Sequence, residues 1–411
     1  MTTAHPLVDH AFRHDYGKVV AGLIKRLGPR HLGVIEDATQ HAFETALTAW
    51  GLGTPPEDRV AWLYRVAYNR VLDVLRRDAK QTSHDEAPPQ LTGPAPAPPF
   101  ANEVADDLLR MMFVCCDPAL AAESQLALAL KTLCGFSTKE IALRLFTSEG
   151  NVLKRLSRAR DVLRTSFTLD TPPLAALLPR LEAVHRVLYL LFNEGYQSAQ
   201  PTDVIRAELC HEAIRVTELL ATHDLTATPE TRALLALMYL HAARLQARID
   251  ELGDLVLLAD QDRSRWDREL ITQGLTWLDR SATGDRMSMY HLLAGIAAEH
   301  CQAPSFAETR WQEIAELYTM LERIEPSPLY TMNRAIAVAQ WQGPQAGLDL
   351  LLALTPPRWL ARYYLWDAVL ADLYARCGNV AAASVCYQRA LAGAPTDAER
   401  RLFQRKYDAL G

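Results

Sequence analysis

Asn151, Lys154, Arg155 and Arg158 stand at a spacing that gathers them on one side of an α-helix. An amide and three cations placed this way can hydrogen-bond base edges and hold phosphates. Asn pairs with adenine, while Arg and Lys take guanine or the backbone. Ser148, just ahead, is a hydroxyl able to cap the helix or reach the same phosphates. A second set mixes aromatic and basic side chains, the combination that holds single strands and flipped bases. It comprises Trp62, Asn69, Arg70, Arg76 and Arg77, with Tyr64 beside them. In a third, Asp37, Gln40 and Glu44 fall at i, i+3 and i+7, a polar stripe suited to a basic partner helix. Phe43 is an apolar anchor next to it. Each set has a plainer alternative: a solvated basic helix, core aromatics at helical spacing, an exposed acidic stripe.

The elements that must position these residues are helical nearly throughout, since apolar residues recur at helical spacing and strand-like alternation is scarce. Val19, Val20, Leu23, Ile24 and Leu27 mark one helix, ended by Gly28-Pro29. Glu36–Trp50 is a second, broken by Gly51, Gly53, Pro55 and Pro56, and Glu57–Lys80 is a third. Residues 81–104 are rich in Pro and Ala, beside Gln, Thr and Ser, and cannot build a core, so a flexible linker is expected there. In 137–163, Ser137 and Glu140 have the spacing of a capping box that opens a short helix. Thr147-Ser148-Glu149-Gly150 turns the chain. Val152, Leu156, Ala159 and Leu163 then give the next helix a buried side opposite its basic one. Helix, turn and basic helix is the arrangement that sets a helix in the DNA major groove. Arg160 lies toward the edge of that basic face.

Charge agrees with this partition. The 411-residue chain carries a net charge of −6, yet residues 120–168 hold eight basic and four acidic side chains. A basic block in an acidic chain suggests a nucleic-acid module tethered to something else. The polar start of the chain and the lack of long apolar runs suggest a soluble protein of the bacterial cytoplasm, with no membrane partner. Seven cysteines without a Cys-x-x-Cys pair argue against a disulfide framework. Cys115 and Cys116 with Cys134 invite a metal site, but adjacent cysteines rarely share one tetrahedral ion. Buried thiols, and no metal, are expected instead. With no Gly-rich phosphate loop, Gly-x-Ser-x-Gly or His-Glu-x-x-His, neither an enzyme nor a cofactor is expected.

Several stretches resemble the extracytoplasmic-function (ECF) sigma factors. Gly135–Ala142, Ser148–Val152 and Arg155–Arg160 resemble the fourth conserved region of that family, departing from its usual residues at Asn151 and Leu153. Glu36–Ala46 and Val60–Arg77 resemble the second region. The resemblance implies core RNA polymerase and promoter DNA as partners. It assigns Asp37, Gln40, Phe43 and Glu44 to the polymerase, and Trp62, Asn69, Arg70, Arg76 and Arg77 to the −10 element. Ser148, Asn151, Lys154, Arg155 and Arg158 fall to the −35 element. The loop Gly51–Asp58 occupies the place where the family captures a flipped base, and Asp85 and Glu86 lie in the linker that threads the RNA exit path.

The chain continues well past the family's usual end. Leu370, Ala371, Tyr374, Gly378, Ala383, Tyr387, Ala390 and Pro395 resemble the key positions of a tetratricopeptide repeat (TPR). Thr331–Leu354 and Ala233–Gly253 have the look of further helix pairs. Leu190–Tyr196 and Asp260–Asp267 resemble signatures of a sigma-factor subgroup with fused helical C-terminal domains. Asn193, Glu194, Asp260, Asp262, Arg263 and Trp266 are therefore candidates for a ligand or partner pocket, or for a structural capping network.

The expected fold is all-α. It has a sigma region 2 domain (1–80), a linker (81–104), a helix-turn-helix region 4 domain (105–168) and a TPR-like superhelical regulatory domain (169–411). The expected function is that of an alternative sigma factor regulated by its C-terminal domain, with a regulatory protein or ligand as that domain's candidate partner. Two rivals are a helix-turn-helix regulator acting without polymerase and a TPR scaffold.

Overall fold

A computed structural model describes residues 4–52, 56–81, 107–133, 135–166, 178–198 and 205–410. The linker residues Asp85 and Glu86, Cys134 and the centre of the Gly51–Asp58 loop lie outside the described residues. The fold is all-helical, with one isolated β-bridge between Ile249 and Leu255 among the described residues. The chain divides into two units, residues 1–191 and 192–411.

The first unit begins with three helices, α1 (Ala4–Leu27), α2 (Leu32–Leu52) and α3 (Arg59–Gln81), which pack on one another. Each ends or starts for a local reason. Gly28 takes φ 85° and donates its amide to Ile24, stopping α1 where a side chain would be strained. The Asp58 carboxylate caps α3 by accepting from the Ala61 amide at 2.9 Å. Val19, Leu23, Ile35, Ala42, Leu63 and Val71 close the core.

Four further helices follow: α4 (Asp107–Cys115), α5 (Ala122–Thr132), α6 (Thr138–Arg144) and α7 (Glu149–Ser166). They do not form a separate body, as the sequence suggests. α4 packs on α1, and α7 packs on α5, α6 and α2. A buried polar junction joins the two groups. Glu36 on α2 is 5% exposed and accepts from Thr132 Oγ1 at 2.7 Å and from the Arg160 guanidinium. Arg160 is thus turned inward to a carboxylate and leaves the basic outer face. The unit also extends beyond residue 168. Arg180 bonds the Phe113 carbonyl at 3.0 Å and pairs with Asp117 at 2.8 Å. Val184, Val187 and Leu188, on α8 (Leu181–Tyr196), are fully buried.

The second unit is a chain of helices, each packed on its sequence neighbours. They are α9 (Ala207–Thr222), α10 (Pro229–Ala242), α11 (Arg268–Ser281), α12 (Met289–Gln302) and α13 (Trp311–Ile324), followed by α14 (Pro328–Trp341), α15 (Pro344–Leu352), α16 (Tyr364–Arg376), α17 (Val380–Gly393) and α18 (Asp397–Asp408). α10 also touches α12, and α14 touches α16, so the series stacks rather than lying flat. The spacing that suggests a helix pair over 233–253 is corrected here. Only α10 is a full helix in that stretch, and its partner is α11, because residues 248–257 turn back through the Ile249–Leu255 bridge.

Gly195 accounts for part of the unusual Leu190–Tyr196 peptide. A Cβ there would come within 2.7 Å of the Cys210 amide nitrogen and 2.8 Å of the Arg206 carbonyl. The Arg206 amide donates to Gly195 O at 2.7 Å, locking this close approach. Gly195→Ala should therefore cost about 1–3 kcal/mol by overpacking against backbone, read as a lower urea midpoint. At the other junction, Arg160→Met leaves a buried acceptor short of a donor, at a cost of about 1–3 kcal/mol. In a double-mutant cycle with Glu36→Gln the two losses should not add; simple additivity would mean that the pair does not hold α2 to α7.

Candidate nucleic-acid interface

The helix-turn-helix is built by local hydrogen bonds. Ser137 Oγ accepts from the Glu140 amide at 3.1 Å, and Glu140 returns a carboxylate oxygen to the Ser137 amide at 2.6 Å. The turn passes through Phe146, a non-glycine residue at φ 48°, while the Thr147 amide bonds Ala142 O at 2.9 Å. Ser148 Oγ then accepts from the Asn151 amide at 3.3 Å and opens α7. Val152, Leu156, Ala159 and Leu163 are buried along one side of α7. Burying each of the three large aliphatic residues contributes about 1.5–3 kcal/mol, enough to pin the helix's rotation.

That rotation decides what faces solvent. Ser148, Asn151, Lys154 and Arg158 are exposed, and Arg155 is half-buried. The Asn151 amide side chain donates to Thr147 Oγ1 at 3.3 Å, a bond weak enough to exchange for a base edge. Leu153 is 57% exposed beside them, with Leu143 and Phe146 also outward. This is a basic and amide face of the kind that can lie in a major groove.

On α3, Asn69, Arg76 and Arg77 are exposed and Arg70 is half-buried. Trp62 is half-buried, its ring 5.6 Å from that of buried Trp50. Tyr64 stacks on Tyr68 at 6.1 Å, and Arg26 lies 4.8 Å over the Tyr68 ring. On α2, Asp37, Gln40 and Glu44 form an exposed stripe, with Gln40 donating to Glu44 at 3.2 Å. Phe43 does not belong to it. At 3% exposure it is a core residue, edge-on to Phe12 at 5.1 Å and beside Tyr16. The helical turn that points Asp37 and Glu44 outward points Phe43 at α1, so it is no docking anchor. Tyr16 is buried there too, and its hydroxyl is pushed well above the usual tyrosine range by burial, with a further push from Glu36.

Cys115 and Cys116 are buried, and burial pushes the Cys116 thiol up to about 12. Among the described residues no cluster of three His, Cys, Asp or Glu could hold a metal ion. No described helix is long and apolar enough to cross a membrane.

The six C-terminal candidates do not converge on one pocket. Glu194 is buried, accepts from Ser198 Oγ at 2.9 Å and lies 3.9 Å from Arg206. Asn193 is half-buried and Asp260 exposed. Asp262 caps a short 3₁₀ turn through the Ser264 amide. Arg263 donates to the carbonyls of His300 and Ala303 at the end of α12, and lies 4.4 Å over the buried Trp266 ring. None of the six lines the 810 Å³ cavity in this unit, whose polar wall includes His241, Arg244, Arg248 and His300. No sequence motif marks those four, which are scattered among ordinary helix residues. The nearest sequence signal was Trp266, which packs behind Arg244.

Residues 111–163 match the family "Sigma-70, region 4", which supports a sigma-factor-like, DNA-binding role for this segment. Residues 180–282 match a family of unknown function, DUF6596. An uncharacterized protein, R00370, of Rhizobium meliloti (strain 1021) is 36% identical over 395 residues, covering 93% of this chain and 91% of that protein. No solved structure matches.

If α7 reads DNA, Lys154→Ala should weaken duplex binding about equally on all sequences and lower the salt slope by about 1. Asn151→Ala should instead relax base preference at one position. Fluorescence anisotropy across a salt series separates the two, and an unchanged slope for Lys154→Ala would remove this face from the interface.

Proposed function

Because the chain belongs to the same family as R00370 of Rhizobium meliloti and carries a sigma-70 region 4 domain, we propose that it is an alternative sigma factor of the ECF type. It binds core RNA polymerase and directs it to promoters. The observation that carries this is α7: exposed Asn151, Lys154 and Arg158 on a helix whose opposite side is locked by Val152, Leu156, Ala159 and Leu163, inside the matched segment. Ser148, Asn151, Lys154, Arg155 and Arg158 serve the −35 element. Asn69, Arg70, Arg76 and Arg77, with Trp62 at the edge of the Trp50 cluster, serve the −10 element. Asp37, Gln40 and Glu44 meet the polymerase.

The second unit is a TPR-like regulatory array. Its support is the α16–α17 pair, where Ala371, Ala383, Tyr387 and Ala390 are buried at the contact and Gly378 sits in the turn. Small residues at helix crossings and a bulky filler between them are what such a repeat requires. Its role is to set the activity of the first unit.

Transcription in vitro with purified core polymerase and a genomic DNA pool tests this assignment. Protein-dependent start sites sharing two spaced motifs are expected, and Asp37→Lys with Glu44→Lys should abolish them while leaving duplex binding intact. Specific duplex binding with no polymerase complex would instead identify a helix-turn-helix regulator. Truncation after Leu191 should change promoter output; equal output from both forms would remove the regulatory role of the second unit.

A further inference from the structure

The second unit holds a partly open cavity of about 810 Å³, within the usual range for small-molecule sites. Much of its wall is apolar, with Ile296, Ile314, Ile336, Val369 and Phe403 on it. Part of it is cationic. Arg244 and Arg248 line the cavity together with His241 and His300.

Arg244 is the informative residue. It is 7% exposed, its Nε is buried without a partner, and among the described residues its side chain makes no hydrogen bond or ion pair. What holds it is the Trp266 ring, 5.1 Å from the guanidinium carbon. An arginine stays charged at any ordinary pH, and a buried charge without a counter-charge is costly. Neighbouring arginines are provided for. Arg206 lies against Glu194 and Glu208, Arg263 caps two carbonyls, and Arg248 donates to the Tyr196 carbonyl while stacking on its ring at 3.6 Å.

The carboxylates on the same wall are engaged elsewhere. Glu399 accepts from Thr396 Oγ1 at 2.7 Å and Tyr364 Oη at 2.6 Å, and Asp372 pairs with Lys406 at 2.7 Å. The two histidines add no charge to this wall, only ring nitrogens able to hydrogen-bond a ligand. Burial first, and Arg244 second, push both down to about 3, so each is a neutral imidazole whose Nδ1 has no partner.

We propose that this cavity binds a small organic anion, its carboxylate or phosphate paired with Arg244 and its apolar body against Ile296, Ile336 and Val369. Guanidinium matches either oxyanion with two parallel hydrogen bonds, and the low dielectric of the site strengthens the pair. The apolar wall selects for a body, so free inorganic phosphate satisfies only half of the site. Residues 192–411 supply the whole cavity, so the assignment stands apart from the DNA-binding one.

The test is isothermal titration of the full-length protein with four probes sharing one ring system: 2-naphthoate, 2-naphthyl phosphate, 2-naphthylmethanol and 2-naphthylmethylamine. One or both anions should bind saturably, one per chain, and at least tenfold more tightly than the alcohol and the amine. Which anion wins distinguishes a carboxylate from a phosphate ligand. Arg244→Gln should weaken that binding at least tenfold, and Arg244→Lys should restore part of it. Ile336→Trp, at a half-buried wall position, should block binding with Arg244 intact and carries the test if Arg244→Gln does not fold. Equal binding of the alcohol, full binding by Arg244→Gln or by Ile336→Trp, or no binding of either anion at millimolar concentration would each overturn the proposal.

Discussion

The first unit depends on one buried carboxylate. Glu36 leaves water on α2 and is compensated by Thr132 from α5 and Arg160 from α7. Taking a carboxylate and a guanidinium out of water is costly, and the attraction between them offsets that cost only when geometry and extra hydrogen bonds are good. Removing one partner alone leaves the other buried and uncompensated, so the junction is sensitive to loss of either side. It tolerates few orientations of α7 relative to α2. The apolar stripe of α7 sets which side is buried, and the Glu36 pair sets where along α2 it sits. Asn151, Lys154 and Arg158 are exposed as a consequence of both.

The second unit is organised on another principle. Its helices contact mainly their sequence neighbours, so each crossing is settled locally by small residues. Gly195 at the Arg206–Cys210 turn and Gly347, whose Cβ would sit 2.5 Å from the Ala335 carbonyl, are two such places. Stacking of this kind leaves a concave interior that no single helix fills. The cavity lined by residues from Tyr196 to Lys406 is the product of that geometry.

The two units use cations in opposite ways. Lys154 and Arg158 are exposed, so their attraction for phosphates is long-ranged and weakened by salt. Arg244 is buried, so its attraction for an anion is short-ranged and poorly screened. Cations thus stand in a salt-screened surface setting in one unit and in a poorly screened buried one in the other.

Much of this was legible in the amino-acid sequence, wherever the cause is local. Helical periodicity placed the elements, the Ser137–Glu140 box and the Val152–Leu163 stripe defined the helix-turn-helix, and Ala and Tyr spacing marked the α16–α17 pair. These follow from contacts within a few residues, which spacing encodes. Tertiary structure alone decided the fates of Phe43 and Arg160. A helix has one buried stripe by its own periodicity, but a neighbour can cover another side, as α1 does for Phe43 and α2 for Arg160. Tertiary structure also decided that the two N-terminal helix groups form one unit, since Glu36 and Arg160 meet across 124 residues of chain. The cavity was invisible for the same reason. Trp266 stands out in sequence but Arg244 does not, and only the stacking of distant helices leaves that guanidinium buried without a carboxylate.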